Sequence, residues 1–391
     1  MTGDPATEEQ RRARLPWIDA TRAILMFLGI PFHAAFVYHG LPWYSGDGIH
    51  PVVSAVAGFV HTFRMPAFFT IAGYFAISAL RRHDARAWTA QRARRLLVPF
   101  AAGVLVLGPP QLWLIASTTG PHADTAERWR GLLAQPSLWV FQLWFLMNLF
   151  LYGLALAAPF ARFGRERVLA RVEHLLGWVT AARHREAAIL LTAGLLVAAG
   201  WAATVVTGLD NVAFGLVNLQ LLVIYAPSFV VGVALGSRPE LLRRFERCPP
   251  SHGLAWCAAA SASAALAERG GALASCAHHL LVPVVGAGMT AVVFTTMRGL
   301  ASGVNAVAAR AADAAMVVYV FHNSLILSIA YLLLEPALPP LIEYAVIIVG
   351  ALSGSLVVYA VVSRVPVLSW LFDGRRTTRG PFGARERRMR D

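Results

Sequence analysis

The chain contains repeated apolar stretches of about 20 residues, the length at which an α-helix crosses the hydrocarbon core of a bilayer. Hydrophobic residues make up 57% of the sequence and charged residues 14%, compared with about 25% charge in soluble domains. These features predict an all-α, polytopic membrane protein with about ten transmembrane helices. The predicted spans are residues 17–38, 52–80, 96–117, 138–160, 187–207, 214–236, 253–267, 278–297, 313–334 and 340–362.

Arginine positions predict how these spans are oriented. All 34 basic residues are arginine, and 29 of them fall in alternate connecting segments and tails, whereas the intervening segments hold only Arg128, Arg130 and Arg269. Because cytoplasmic loops collect positive charge, both termini are expected in the cytoplasm. The span at 253–267 is short and rich in alanine, but without it the later loops would break this pattern. Topology therefore accounts for the net charge of +13, and nucleic acid is not expected as a partner.

The chain is expected to form one transmembrane domain, residues 16–365, between a cytoplasmic tail at 1–15 and a basic cytoplasmic tail at 366–391. The loop at 161–186 fits either an amphipathic helix on the membrane surface or a solvated basic linker. The three cysteines have no spacing typical of a disulfide framework or a metal site. An arginine-only, alanine-rich composition is typical of high-GC bacteria, so the expected location is the bacterial cytoplasmic (inner) membrane. No internal repeat supports a repeat-built transporter.

The first predicted span holds three polar side chains, Asp19, Arg22 and His33. Arg22 and His33 are eleven positions apart, which places them on one face of a continuous helix, roughly 16 Å apart along its axis. An arginine inside hydrocarbon costs at least ~2.5–3.5 kcal/mol, so such a residue indicates a functional site. Asp19 is positioned to pair with Arg22, and an anchoring ion pair at the helix end is the structural alternative.

The second span holds His61 and Arg64, one helical turn apart and about a third of the way in from the outer side. His33 lies at a similar depth in the first span. Two such His and Arg sites on neighbouring helices predict one polar chamber. Pro66 and Gly73 allow the helix to bend beside it.

A third group is the cytoplasmic arginine run that contains Arg92 and Arg95, at positions i and i+3 where the third span begins. Guanidinium groups bind phosphate in a bidentate manner, so a phosphorylated ligand is one interpretation. Ordinary positive-inside topology is the other, and the spacing alone favours it. Further along, Gln142 and His322 are polar residues within apolar spans. No serine-hydrolase or nucleotide-binding motif occurs in a suitable context.

Taken together, these motifs resemble the acyltransferase-3 family of integral membrane acyltransferases. Arg22 and His33 are similar to its R-x10-H pattern, and Arg92 and Arg95 to its R-x-x-R pattern. "FFTIAGYF" resembles its FFxxSG element, with Ala72 in place of serine, and "LWFL" and "YVFH" resemble its later landmarks. This chain departs from the family at Gln142, where relatives often have histidine, and at the two residues after His322.

The resemblance implies a membrane O-acyltransferase that moves an acyl group from cytoplasmic acyl-CoA to a hydroxyl of a periplasmic or surface glycan. The preferred donor is succinyl-CoA, with acetyl-CoA as the other candidate, and no permanently bound cofactor or metal is expected. Expected partners are acyl-CoA, the glycan acceptor and membrane lipids. The oligomeric state is not predicted. An O-acetyltransferase acting on another polysaccharide, a lipid or a metabolite remains an alternative, as does a non-catalytic carrier or flippase.

Residue roles follow from the same resemblance. His33 is the expected general base, by direct transfer or through an acyl-histidine. Arg92 and Arg95 are expected to hold the CoA phosphates, with Arg22 on the route between them and His33. Arg22 and Asp19 are expected to act with His33 in catalysis, with Asp19 as the partner of Arg22. The expected substrate-binding residues are His61, Arg64, His322 and Gln142. The acceptor is expected to enter past the loop at 39–50, which carries Trp43 and Tyr44.

Overall fold

The computed structural model describes residues 16–38, 50–119, 122–208, 211–213, 215–300, 305–334 and 338–375. Apart from turns and a two-residue hairpin, in which β1 (Asn211–Val212) pairs antiparallel with β2 (Val217–Asn218), these ranges are helical. The helices are α1 (Pro16–Phe27), α2 (Gly29–Ala34), α3 (Pro51–Leu80), α4 (Ala85–Ala102), α5 (Gly108–Thr118), α6 (Thr125–Leu133), α7 (Trp144–Phe163), α8 (Arg165–Thr180), α9 (Arg183–Thr207), α10 (Leu219–Ser237), α11 (Pro239–Phe245), α12 (Pro250–Arg269), α13 (Ala272–Leu300), α14 (Asn305–Leu332), α15 (Pro340–Val362) and α16 (Pro366–Asp373).

The predicted fold class is confirmed. Within the described ranges, nine helical segments are long and apolar enough to cross a membrane. The remaining predicted span corresponds to α12, a 20-residue helix that is less apolar than the nine. It forms an antiparallel hairpin with α13: Ser263 contacts His278 near the connecting turn, and Trp256 packs on Gly288 further along. The described ranges therefore support nine of the ten predicted spans, and α12 is not among the candidate membrane-spanning helices.

Two predicted spans are not continuous α-helices. The first is interrupted at Leu28, between α1 and α2, because Pro31 has no N–H to donate to the carbonyl of Phe27. The third is longer than expected: it begins at Ala85 and passes through a π-helical turn, Gly103–Leu107, before α5. The two prolines that follow this turn, at 109 and 110, cannot donate hydrogen bonds to the preceding carbonyls.

The centre of the bundle is the crossing of α3 and α10. Gly73 and Gly232 allow the two backbones to meet, because a Cβ atom at Gly73 would collide with the carbonyl of Phe229 and one at Gly232 with the carbonyl of Thr70. The hydroxyl of Thr70 donates a hydrogen bond to the carbonyl of Ser228 across this crossing, at 3.1 Å. The crossing holds α3 at the middle of the bundle, against α1, α7, α10 and α13.

Two short helices lie at the predicted cytoplasmic side. The loop at 161–186 contains the helix α8, which has no buried residue and is attached through Arg238, whose guanidinium donates to the carbonyl of Glu173 at 2.8 Å. At the other end of the chain, α16 packs against α4, and Gly374 lies against the backbone of Arg95. The beginning of the segment assigned to the C-terminal tail is therefore helical and docked on the bundle.

Candidate active site

The first two turns of α1 carry the first two expected site residues, Asp19 and Arg22. Their side chains approach to 3.9 Å, and both are partly exposed, by 32% and 38%. The guanidinium of Arg22 is therefore accessible at the surface of the bundle, with Asp19 as its carboxylate neighbour. The break at Leu28 also means that Arg22 and His33 belong to two helices, so the straight-helix distance between them does not apply.

His33 lies on α2 and faces a cavity inside the bundle. Its ring centroid is 5.1 Å from that of Phe32 and 5.4 Å from that of Phe36. The ring of His322, contributed by α14, lies 5.1 Å away. The side chain of His33 is only partly buried and lines a cavity of about 410 Å³, which we call the central cavity.

His322 is held in one orientation by the backbone of its own helix. Its Nδ1 is 2.7 Å from the carbonyl oxygen of Tyr319 and 3.2 Å from that of Val318. Because carbonyl oxygens only accept hydrogen bonds, Nδ1 carries the proton and Nε2 keeps its lone pair. Nε2 is buried and has no hydrogen-bond partner among the described residues. His322 therefore lies beside His33 with an unused acceptor and does not itself line the central cavity.

Arg64 is the buried cation of the site. It is 7% exposed, and its guanidinium carbon lies 4.6 Å from the centroid of the Phe32 ring. Its Nη1 lies against Gly29, where a Cβ atom would stand 2.9 Å away. Within the described part of the chain, no carboxylate forms an ion pair with Arg64, and its Nε has no hydrogen-bond partner. A buried guanidinium that lacks an anionic neighbour favours the binding of an anion from the cavity.

His61 also contacts Phe32, with the two rings stacked at a centroid distance of 5.1 Å. Its Nε2 lies 3.3 Å from the hydroxyl of Tyr225 on α10, and its buried Nδ1 has no partner in the described ranges. The ring of Phe32 therefore contacts both His61 and Arg64, which lie one turn apart on α3. His33, His61 and Arg64 line one cavity, as expected from these two spans, and the ring of Phe32 forms part of its wall.

Gln142 closes the central cavity from the start of α7. Its Nε2 donates to the carbonyl of Val320 at 3.2 Å, and its own backbone carbonyl accepts a hydrogen bond from the hydroxyl of Tyr319. The preceding residue, Phe141, has a φ of 41°, a conformation that a bulky side chain rarely adopts. The Oε1 of Gln142 is buried without a partner in the described structure, so it is available to a hydroxyl or amide group in the cavity.

The arginines expected to bind the donor lie on the predicted cytoplasmic side of this cavity. The guanidinium carbon of Arg92 stands 5.5 Å from the centroid of the Trp88 ring, and its Nε faces Gly153 of α7. Gly153 is eight residues from Phe145, which lines the central cavity, and eight residues of helix span about 12 Å. Arg95 is exposed. Arg22 lies within electrostatic range of both Arg92 and Arg95, so the three predicted donor-binding arginines form one group.

The C-terminal helix adds an ionic cluster beside this group that the sequence did not suggest. Arg375 contacts Asp373 at 3.0 Å and Asp313 of α14 at 2.9 Å. Burial raises the pKa of Asp373 to about 6, although the positive charges of Arg375 and Arg95 oppose this shift. The cluster ties α16 to α14 next to Arg95.

The sequence interpretation also missed three aromatic residues of the site: Phe32, Tyr225 and Tyr319. Phe32 directly precedes His33, and a ring next to a buried histidine was a usable signal. Tyr225 places a hydroxyl group in the middle of an otherwise apolar span, and Tyr319 belongs to the "YVFH" motif. The loop with Trp43 and Tyr44 lies outside the described residues, apart from His50 at its end.

Comparison with known proteins places this chain in a family. The family model Acyl_transf_3, described as an acyltransferase domain, matches residues 15–360. The chain is 26% identical to proteins named glucans biosynthesis protein C from Salmonella paratyphi B, Salmonella agona and Salmonella dublin, over 96% of this chain and 97% of each relative. No solved structure is significantly similar.

Proposed function

The chain belongs to the acyltransferase-3 family of membrane acyltransferases, and from this premise we propose that it transfers a succinyl group from cytoplasmic succinyl-CoA to a hydroxyl of an extracytoplasmic glucan. The observation that carries the proposal is that His33 and Arg64 line one cavity inside the membrane domain, with the ring of His322 directly behind His33. In a bacterium, the cytoplasmic (inner) membrane is the one that separates such a donor from such an acceptor.

The donor enters from the side of the arginine group. Arg92 and Arg95 hold the phosphates of CoA, because guanidinium groups form charge-assisted hydrogen bonds with phosphate oxygens. The pantetheine arm then extends between α1 and α7 toward the central cavity, past Arg22. Leu25 and Met26 line the central cavity. They lie one turn after Arg22 along α1.

His33 is the general base. The acceptor oxygen attacks the thioester carbonyl carbon while a ring nitrogen of His33 takes the hydroxyl proton. The new C–O ester bond forms, the C–S bond breaks, and the thiolate of CoA recovers the proton from His33. His322 is a positioning residue in this proposal: its unprotonated Nε2, which has no partner in the described structure, accepts a hydrogen bond from the N–H of His33 once the substrates are bound.

Arg64 holds the carboxylate of the succinyl group. Its side chain is buried, and no described carboxylate neutralises it, so a dicarboxylic donor supplies the missing anion. An acetyl group offers no such charge. This difference is the reason for preferring a succinyl donor. The choice of a glucan as the acceptor is suggested by the names of the relatives.

The decisive experiment measures transfer of radiolabelled succinyl-CoA to glucan by the purified full-length protein. We expect His33→Ala to lower the rate by about 10²–10⁴-fold, the range supplied by general acid–base catalysis. His252→Ala is the matched control, because His252 is an exposed histidine on α12. Near-normal turnover by His33→Ala would exclude the mechanism. A wild-type protein that moves a ligand across the membrane but leaves no label on sugar would be a carrier instead.

A further inference from the structure

A second cavity, of about 430 Å³, lies beside the central cavity between α2, α3, α10, α12 and α13. The two cavities share Phe32, Phe36, His61 and Leu221 in their linings. A wall that is only one layer of side chains thick therefore separates them, and His61 is the polar member of that wall. We call this second space the outer cavity.

The outer cavity lies in the outer half of the membrane domain. Ala57, which lines it, is in the second turn of α3, and His278 and His279 are in the second turn of α13. The arginine pattern places the beginnings of both helices at the extracytoplasmic side. The donor-binding arginines lie at the opposite side, so the outer cavity is not on the route of CoA.

Several polar groups line the outer cavity among its apolar residues. The Nδ1 of His278 is 2.9 Å from the carbonyl oxygen of Ser263, which leaves Nε2 as an acceptor. The Nδ1 of His279 is 2.7 Å from the carbonyl oxygen of Ser275, and its ring stacks on Trp201 at 4.9 Å. Each histidine is thus fixed by a backbone carbonyl, with its other nitrogen free to accept a hydrogen bond.

The remaining polar side chains lie toward the wall. Tyr225 places its hydroxyl 3.3 Å from Nε2 of His61, and Thr62 lies on the same side. Hydrogen-bonding groups combined with flat aromatic faces suit a ligand that carries many hydroxyls and has apolar C–H faces, which is the chemistry of a sugar ring. A lipid tail would form no hydrogen bonds with these polar side chains.

From this arrangement we propose that the outer cavity binds the terminal sugar of the glucan acceptor and presents one of its hydroxyls past His61 to His33. The inference rests on the proposed acyl transfer and adds the acceptor subsite to it. His61 and Tyr225 are then the residues along which the acceptor hydroxyl reaches the central cavity.

Filling the outer cavity tests this assignment. Ala264 lines it, whereas its neighbour Ala265 is exposed and does not. In the full-length enzyme we expect Ala264→Phe to raise the KM for glucan oligosaccharides at least about tenfold, a loss of about 1.4 kcal/mol, with the KM for succinyl-CoA unchanged. Ala265→Phe should change neither constant. An unchanged glucan KM in Ala264→Phe, or an equal rise in the KM for succinyl-CoA, would overturn the proposal.

A second measurement does not depend on turnover. Ala264→Cys, in a chain whose Cys248, Cys257 and Cys276 are replaced by serine, is labelled with a maleimide in lipid nanodiscs. Glucan oligosaccharides should slow the labelling and succinyl-CoA should not. Protection by succinyl-CoA alone, or by neither compound, would refute the acceptor subsite. If glucan protects but no acylated glucan is formed by the unaltered enzyme, the proposed transfer fails while the binding site stands.

Discussion

His33 and His322 face each other with ring centroids 5.1 Å apart, although one belongs to the first span and the other to the ninth predicted span. The backbone of α14 fixes His322 with its Nε2 free. His322 therefore gives His33, which lines the central cavity, a neighbour with an unprotonated ring nitrogen. This neighbour is the basis of the first prediction.

Replacing His322 by phenylalanine keeps a ring of similar shape but removes the acceptor nitrogen. Because His322 acts through His33, we expect kcat to fall at least about tenfold while the KM values for donor and acceptor stay within about twofold. Steady-state kinetics of the purified variant measures both. His174→Phe, at an exposed position on α8, serves as the control. A rise in KM without a loss of kcat would assign His322 to substrate binding.

Arg64→Gln should discriminate between donors. Removing a buried partner of a carboxylate costs about 1.5–3 kcal/mol, so the KM for succinyl-CoA should rise by about 10–100-fold. The KM for acetyl-CoA should change little, because an acetyl group carries no carboxylate. Arg130→Gln removes an exposed arginine from α6 and should leave both donors unaffected. Equal losses with the two donors would show that Arg64 does not recognise the succinyl carboxylate.

The arginine group gives a binding prediction. The double substitution Arg92→Gln and Arg95→Gln should weaken CoA binding, measured by calorimetry, by about 10–100-fold, because each arginine loses charge-assisted hydrogen bonds to phosphate. Arg86→Gln changes an exposed arginine on the same helix, and the affinity should be retained. If the double variant bound CoA like the wild type, the arginine run would be explained by topology alone.

The crossing of α3 and α10 gives a stability prediction. A methyl group at Gly73 meets the carbonyl of Phe229, so Gly73→Ala should destabilise the protein by about 1–3 kcal/mol and lower its Tm. Gly131 of α6 has no atom within 4 Å of an added Cβ. Gly131→Ala should therefore stabilise the protein by about 0.5–1 kcal/mol, because alanine has a higher helix propensity than glycine. Thermal unfolding in detergent compares the two, and a similar effect of both substitutions would contradict the close crossing.

Asp373 should make the stability of the folded protein depend on pH. Burial raises its pKa from 3.8 to about 6, so the folded state holds a proton that the unfolded state has released. The contribution to stability is therefore complete below pH 3.8 and is lost as the pH rises toward 6, by about 2–3 kcal/mol in total. Asp373→Asn should remove this part of the decline in Tm between pH 4 and pH 7. An unchanged pH profile in the variant would mean that the carboxyl group titrates normally.

Much of the fold was predictable because it depends on local properties. Apolar segments near 20 residues in length must cross the bilayer, and arginine placement orients them. The helix ends were less predictable. Pro31 interrupts the first span, and the segment before Pro109 becomes a π-helical turn that lengthens the third. Such interruptions depend on whether neighbouring helices supply replacement packing, which one segment alone does not reveal.

The sequence by itself singled out the candidate residues for chemistry: His33 and Arg64, because polar groups in apolar spans are costly, and the arginine run, because it resembles the R-x-x-R pattern of the family. Only the tertiary structure decided how they meet. Phe32 joins Arg64 to His61, Gln142 bonds to α14, and His322 approaches His33. These contacts connect helices that are far apart in the chain, and their geometry is set by interhelical packing, including the close approach at Gly73. Helix periodicity specifies the face on which a residue lies but does not specify which other helix that face will meet.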